Sequence, residues 1–431
     1  MHLSSYLKQY PCRDNPDRVL LFSTRRLSKA IVPLSVLRSV EEGTLSPESL
    51  ATMTRLGFIV PDSDAERQEM LTIMTEAEEQ LKKAFLMAVM NLDCNLACTY
   101  CYEGKQRGHH YMSPETADLL VKYCEKNFLR QRKDLTIDFY GGEPLLSLDL
   151  IKSISLRLKT TAENAGKEYA FTLVTNGTLL TSSVASELAE LGLKSARITL
   201  DGPRENHDSY RPFSSGKGSF DLIVRNLRDV CDIIKMGIGG NYTQENYREF
   251  PLLLDELVER GITPDKVAHV MFSPVSETLG EHLMPEFSDG CCSMEEPWLA
   301  DASIYLREEI LRRGFFTPKV QPTTCMIEFK DNLVAHYDGT LYKCPAFIGL
   351  EGLDVGHLES GIQDFRASHN MDVWKKDECL DCAYLPLCFG GCRFMTLLQK
   401  GAISDVECRK AWYDATLEEL LLQDLRYTLK K

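Results

Sequence analysis

The chain has 431 residues, a hydrophobic fraction of 44% and a formal net charge of −14. That length suggests two or three domains with ample buried core, and the negative charge weighs against a nucleic-acid partner. The longest near-apolar stretch, Ala84 to Met90, is far short of a membrane span. The N-terminus lacks the apolar core of a secretory signal, so a soluble, cytoplasmic protein without membrane partners is expected. Fifteen cysteines in such a chain are a poor disulfide framework, because the cytosol keeps thiols reduced. Metal or cluster ligation is the better reading, and spacing decides it.

Residues 1–68 hold short apolar runs (Val19–Leu21, Ile31–Leu34) and a helix predicted over Pro47–Leu56, ending at Gly57. Residues 69–83, the end of a charged stretch starting at Asp62, read as a helical linker. Strand-like and helix-like segments then alternate across 84–285. The strands expected are Phe85–Met90, Leu135–Tyr140, Phe171–Val174, Ala196–Leu200, Gly237–Asn241 and Val267–Phe272. The helices expected are Pro114–Phe128, Leu150–Glu163, Ser182–Leu191, Phe220–Ile234 and Tyr247–Arg260, with Ser113 and Ser182 at two of their starts. Such alternation implies parallel βαβ units, an α/β barrel or an open doubly wound sheet. A bridging region (286–320) contains a helix over Trp298–Arg312; a cysteine-rich stretch (321–412) and a C-terminal helix (413–431, within an amphipathic run from Lys410) follow.

Directly after the first strand of the alternating region stands Asn91-Leu-Asp-Cys94-Asn-Leu-Ala-Cys98-Thr-Tyr-Cys101. CxxxCxxC on one loop lets three thiolates converge on one centre, and three ligands for a four-iron cluster leave one iron open. A closed zinc site would need a fourth ligand, and none is nearby. With Tyr100 before the third cysteine, the segment resembles the signature of the radical S-adenosylmethionine (SAM) superfamily. Gly141-Gly-Glu-Pro144 after the second strand resembles that family's GGEP motif. Thr175-Asn-Gly-Thr178 and Thr199-Leu-Asp-Gly202, after the third and fourth strands, match in position. The resemblance implies a partial (β/α)6 barrel and a 4Fe–4S cluster held by Cys94, Cys98 and Cys101. SAM contacts would come from Tyr100, Gly141, Gly142, Glu143, Pro144, Asn176, Thr199, Asp201 and Arg211. An ammonium needs acceptors, which a carboxylate and glycine-flanked carbonyls supply, and an arginine suits the SAM carboxylate.

Seven later cysteines follow a second spacing: Cys325, Cys344, Cys379, Cys382, Cys388, Cys392 and Cys408. Cys379-x2-Cys382 alone would also fit a zinc ribbon. The whole run, with a Gly-Gly before Cys392, resembles the SPASM domain of radical SAM peptide-modifying enzymes. That resemblance implies two auxiliary 4Fe–4S clusters, three clusters in all. Cys379, Cys382, Cys388 and Cys408 would hold one; Cys325, Cys344 and Cys392 would hold the other. Its fourth ligand is left open between Cys291, Cys292 and a substrate thiolate, since Lys319 stands where some relatives have a cysteine. Cys12, Cys124 and Cys231 read as plain thiols.

The N-terminal segments Arg18-Val-Leu-Leu-Phe-Ser-Thr and Leu50 to Val60 resemble the winged-helix recognition module of ribosomal-peptide maturases, including the geopeptide maturase group. The expectation is therefore an enzyme that makes a 5′-deoxyadenosyl radical and installs a thioether or other crosslink in a precursor peptide. Its partners would be that peptide and a reductant such as flavodoxin or ferredoxin. Two other readings stand beside it. One is an anaerobic sulfatase maturase, although those enzymes typically carry Asp where this chain has Pro345. The other is a non-catalytic iron–sulfur or peptide-binding protein. The catalytic base is not identifiable from the sequence.

Overall fold

The computed structural model describes residues 1–101, 103–276 and 296–428. Cys291 and Cys292 lie outside them. The chain divides into two compact units. One is Met1–Gln80 with Lys319–Glu328 and Asn370–Asp424; the other is Leu81–Pro318 with Phe329–His369 and Leu425–Lys431. Residues 321–412 thus contribute to both.

In the first unit, β1 (Leu7–Pro11), β2 (Arg18–Ser23) and β3 (Lys29–Pro33) form an antiparallel sheet with β2 in the centre. Helices α1 (Leu34–Glu41), α2 (Pro47–Arg55) and α3 (Ser63–Gln80) follow. Val19, Leu21, Val40, Met53, Phe58 and Ile59 build its core. The stretch read as a helical linker is helical as far as Gln80, as the end of α3, which buries Met70 and Met74; apolar residues four apart give even this charged helix one inward stripe. The late cysteine segment belongs to the same unit. Tyr6 Oη donates to Leu380 O at 2.9 Å, and Thr24 Oγ1 donates to Ala383 O at 2.6 Å.

The second unit is a sheet with helices between its strands. The strands are β4 (Lys83–Val89), β5 (Asp134–Tyr140), β6 (Tyr169–Thr175), β7 (Leu193–Thr199), β8 (Lys235–Tyr242) and β9 (Val267–Pro274). All six pair in parallel with their sequence neighbours. Each expected strand is present, with its ends shifted by up to three residues, Met90 and Leu200 falling just past theirs. The period of two explains why they were readable: Leu86, Ile137, Phe171 and Ile198 are fully buried on one face, while Met87, Asp138, Thr172 and Ser195 share the other in register. Between the strands, α4 (Pro114–Cys124) starts at Ser113, whose hydroxyl accepts from Thr116 N at 3.1 Å. The helix Ser182–Glu190 is capped one residue earlier than expected, by Thr181.

Several short strands were not foreseen, and one of them lies beside the first strand of the parallel sheet. The four-residue β10 (Asn332–Ala335) pairs in parallel with β4 and continues into an antiparallel hairpin with β11 (Thr340–Tyr342). It sets a C-terminal segment beside the strand that leads into the first cysteine loop.

Candidate active site at the strand ends

The first cysteine loop leaves the C-terminal end of β4, where parallel α/β sheets place their chemistry. Backbone pairing between β4 and β5 continues past both strand ends: Met90 N donates to Tyr140 O (2.9 Å), Gly142 N to Asn91 O (3.0 Å) and Glu143 N to Asp93 O (2.8 Å). This approach is why two glycines are needed. A Cβ on Gly141 would stand 2.3 Å from Asn91 O, and one on Gly142 would stand 2.2 Å from Asp93 O. On its other side the loop is held by Ala97 N to Pro212 O (2.8 Å) and Thr99 N to Tyr210 O (3.0 Å). Cys94, Cys98 and Cys101 are therefore pinned between the β5 end and the 210–213 segment.

Glu143 is fully buried, and its carboxylate accepts from Leu145 N, Thr175 Oγ1 and Asn176 N at 2.8–3.0 Å. Burial pushes this carboxyl up, and those hydrogen bonds hold it back. The group fastens the β6 loop to the β5 loop, leaving the two glycines as the less committed part of that motif. Pro144 begins the short turn that follows. Asn176 Nδ2 donates to Asn95 Oδ1 at 2.8 Å and lies 3.7 Å from Cys94 Sγ. Leu96 N reaches the same sulfur at 3.5 Å.

Behind Cys98 sits a buried polar network. Tyr100 Oη donates to Asp201, and accepts from Arg211 Nη1 (2.7 Å) and Asn241 Nδ2 (3.1 Å). Asp201 also accepts from Asn241 N at 2.7 Å. Asp201 and Arg211 are buried, and Arg211 Nε has no hydrogen-bond partner among the described residues. Burial pushes the Cys98 thiol up, with Arg211 opposing. Burial also raises Cys94 to about 11 and Cys101 to about 12. As free thiols these groups are neutral, so a bound metal centre would have to displace their protons. Thr199 ends β7 in register with Gly239.

No group of three or more His, Cys, Asp or Glu among the described residues is gathered for a single metal ion. The donor chemistry fits an iron–sulfur group: three thiols on one loop, N–H donors aimed at Cys94 Sγ, and a cation near Cys98. Sequence reasoning missed Asn91, Thr175 and Asn241, whose roles appear only when the strands are in register.

In the first unit, Cys388 and Cys392 flank a reversal in which Phe389, Gly390 and Gly391 all have positive φ. A Cβ on Gly391 would stand 2.4 Å from Glu407 O. Cys379, Cys382 and Cys408 interact electrostatically, as do Cys388 with Cys382 and Cys379, and Cys392 with Cys325. The segments of Cys325 and Cys392 are joined by a wholly buried ion pair, Arg393 Nη2 to Glu328 Oε1 at 2.5 Å. Cys344 belongs to the second unit, two residues after β11. Cys124 and Cys231 are buried, and Cys12 is half-buried.

Residues 89–257 match the family model of the radical SAM superfamily. The chain thus carries a radical SAM domain, the defining part of SAM-dependent enzymes that use a 4Fe–4S cluster. Among curated relatives, it is 30% identical over 195 residues to Fe-coproporphyrin III synthase of Methanosarcina barkeri, spanning 44% of this chain and only 45% of that one. Among solved structures, anSMEcpe with bound AdoMet superposes with a TM-score of 0.61 at 18% identity, covering 81% of this chain and 98% of the other. Streptococcus suis SuiB bound to precursor peptide SuiA gives 0.55 at 13% identity, covering 94% and 98%. These likenesses establish the fold. No helix among the described residues is long and apolar enough to cross a membrane.

Proposed function

We propose that this chain is a radical SAM maturase that modifies a ribosomally made precursor peptide, installing a thioether or another side-chain crosslink. Cys94, Cys98 and Cys101 would hold the catalytic cluster. Backbone carbonyls of Gly141 and Gly142 receive the SAM ammonium, because the Glu143 carboxylate is committed to Thr175, Asn176 and Leu145. Arg211, with its free Nε, keeps positive charge beside the site. When bound, the cluster and SAM supply a 5′-deoxyadenosyl radical; the protein orients the carbon to be attacked and excludes water. Cys379, Cys382, Cys388 and Cys408 would hold one auxiliary 4Fe–4S cluster, and the remaining motif cysteines would serve a second. Electrons come from a flavodoxin- or ferredoxin-class donor in the cytoplasm.

The observation that carries the peptide reading is the N-terminal sheet. Its strand β3 pairs with β2 on one side, and Ile31 on it is 47% exposed. An exposed strand edge with an apolar side chain is what an extended leader peptide adds to. The fold it shares with SuiB, solved with its precursor peptide, supports the same reading. The sulfatase-maturase reading is weaker, since Pro345 opens a short helical turn where those enzymes typically have their Asp.

Co-expression with any short peptide found encoded beside the gene tests this. The expected product has lost two hydrogens and carries a crosslink in tandem mass spectra. Ile31→Glu, a surface change, should weaken binding of that peptide while SAM cleavage without peptide continues. An unmodified neighbouring peptide alongside formylglycine in a co-expressed sulfatase would overturn the proposal.

A further inference from the structure

Strand β10 leads into a residue, His336, that neither the radical SAM motif nor the cysteine spacing uses. Its register with β4 pairs Asn332 with Phe85, Leu333 with Leu86, Val334 with Met87 and Ala335 with Ala88. Alternation puts the next residue, His336, on the face shared by Asn332, Val334 and Met87. This is the face opposite the helix-covered side defined by Leu86 and Ile137. His336 N donates to Thr340 O at 2.9 Å, continuing the β10–β11 hairpin, and its ring meets Tyr342 edge-on at 6.2 Å. It therefore stands at the C-terminal rim of the parallel sheet, one strand spacing (about 4.8 Å) from the strand that leads into Cys94. The hairpin tip is tied to that loop: Tyr337 stacks on His110 at 5.5 Å, and His110 O accepts from Leu92 N at 2.9 Å.

The imidazole is arranged as a proton acceptor. Its Nδ1 lies 3.1 Å from Asp338 Oδ1, within ion-pair distance, but neither ring nitrogen makes an in-line hydrogen bond among the described residues, and the residue is only 7% exposed. Burial pushes the Asp338 carboxyl up, but the neighbouring His336 ring and the hydrogen bond from Thr340 N outweigh it and hold the group below the usual carboxylate range. A carboxylate on Nδ1 leaves the Nε2 lone pair free to take a proton and stabilises the imidazolium that results.

We propose that His336, oriented by Asp338, is the base of the maturation reaction. This rests on the reading above and supplies what the sequence did not show. Hydrogen-atom abstraction breaks a substrate C–H bond and leaves a carbon radical. Forming a thioether then requires that the attacking S–H lose its proton and that the C–S adduct lose one electron. His336 Nε2 takes the proton; the electron goes to an oxidised iron–sulfur centre, the one-electron acceptor class the downstream cysteines suit. Two hydrogens and two electrons leave the substrate in all, and one C–S bond forms.

The test uses the full chain with its neighbour-encoded peptide, deuterated at the carbon that is modified. Turnover by the unaltered protein is the control for the reading itself. If that fails, the maturase assignment falls and the base is not at issue. With it in hand, His336→Ala and His336→Gln should keep iron content, peptide affinity in the unreconstituted protein and deuterium transfer into 5′-deoxyadenosine. Product formed per 5′-deoxyadenosine should fall by about 100-fold or more, with peptide returned unmodified but stripped of its deuterium. Added imidazole should restore coupling in His336→Ala and not in His336→Gln. Unchanged coupling in both variants, or losses confined to peptide affinity or iron content, would overturn the proposal.

Discussion

The two cysteine regions are built by different physics. The Cys94–Cys101 loop hangs from a parallel sheet, and its position follows from strands that bury alternate residues and from two glycines that let β5 close on Asn91 and Asp93. The Cys379–Cys408 segment has no such frame. It is shaped by a left-handed reversal at Phe389–Gly391, by Glu407, which accepts from Cys392 N at 2.7 Å, and by the buried Arg393–Glu328 pair. A site on a sheet inherits its geometry from long-range pairing, whereas a site made of turns depends on single residues that cannot be exchanged. Substitutions should therefore act differently in the two regions.

The largest effect belongs to the sheet-borne loop. Replacing Cys94, Cys98 and Cys101 together by Ala should abolish 5′-deoxyadenosine formation under anaerobic reduction, measured chromatographically, while iron held by the later cysteines persists. Retained cleavage would sink the ligand assignment. Next comes Arg393→Met, which strands the Glu328 carboxylate in the core. Breaking a buried pair costs about 3–5 kcal/mol, so the urea midpoint of the first unit should drop. Restoring it with Glu328→Gln would show that the stranded charge is the cause. Then Gly391→Ala combines a positive φ with a contact against Glu407 O, a cost of about 1–3 kcal/mol. Late-cluster iron should fall while SAM cleavage stays; equal loss of both would erase the distinction drawn between the regions. Smallest is Ser113→Ala, which removes the cap of α4 for about 1 kcal/mol and should lower thermal stability without touching either cysteine group.

The same contrast explains what could be read in advance. The six strands and most helices were legible because Leu86, Ile137 and Phe171 alternate with residues on the open face, and because Ser113-Pro114 is a strong start signal. CxxxCxxC and GGEP were legible as chemistry. Three things were hidden. Strand β10 offers only four residues, too few for a period to show, so nothing in the sequence singled out His336. The partners of Glu143 and Tyr100, namely Thr175 and Asn241, are separated from them by dozens of residues and meet only through register. And the charged composition of α3 masked Met70 and Met74, so a helix was expected there but its buried stripe was not.

The shared unit formed by the two chain regions has a consequence for biogenesis. Tyr6 and Leu380, joined by a hydrogen bond, lie 374 positions apart. Contacts of that span pay their loop-closure entropy late and slow folding. During synthesis the N-terminal sheet emerges first and must wait for its partner segment, while the second unit has nearly all of its chain and can fold in the interval. Completion of the unit that carries Cys379 to Cys408 is therefore a late event in folding, and the waiting sheet stays exposed until then.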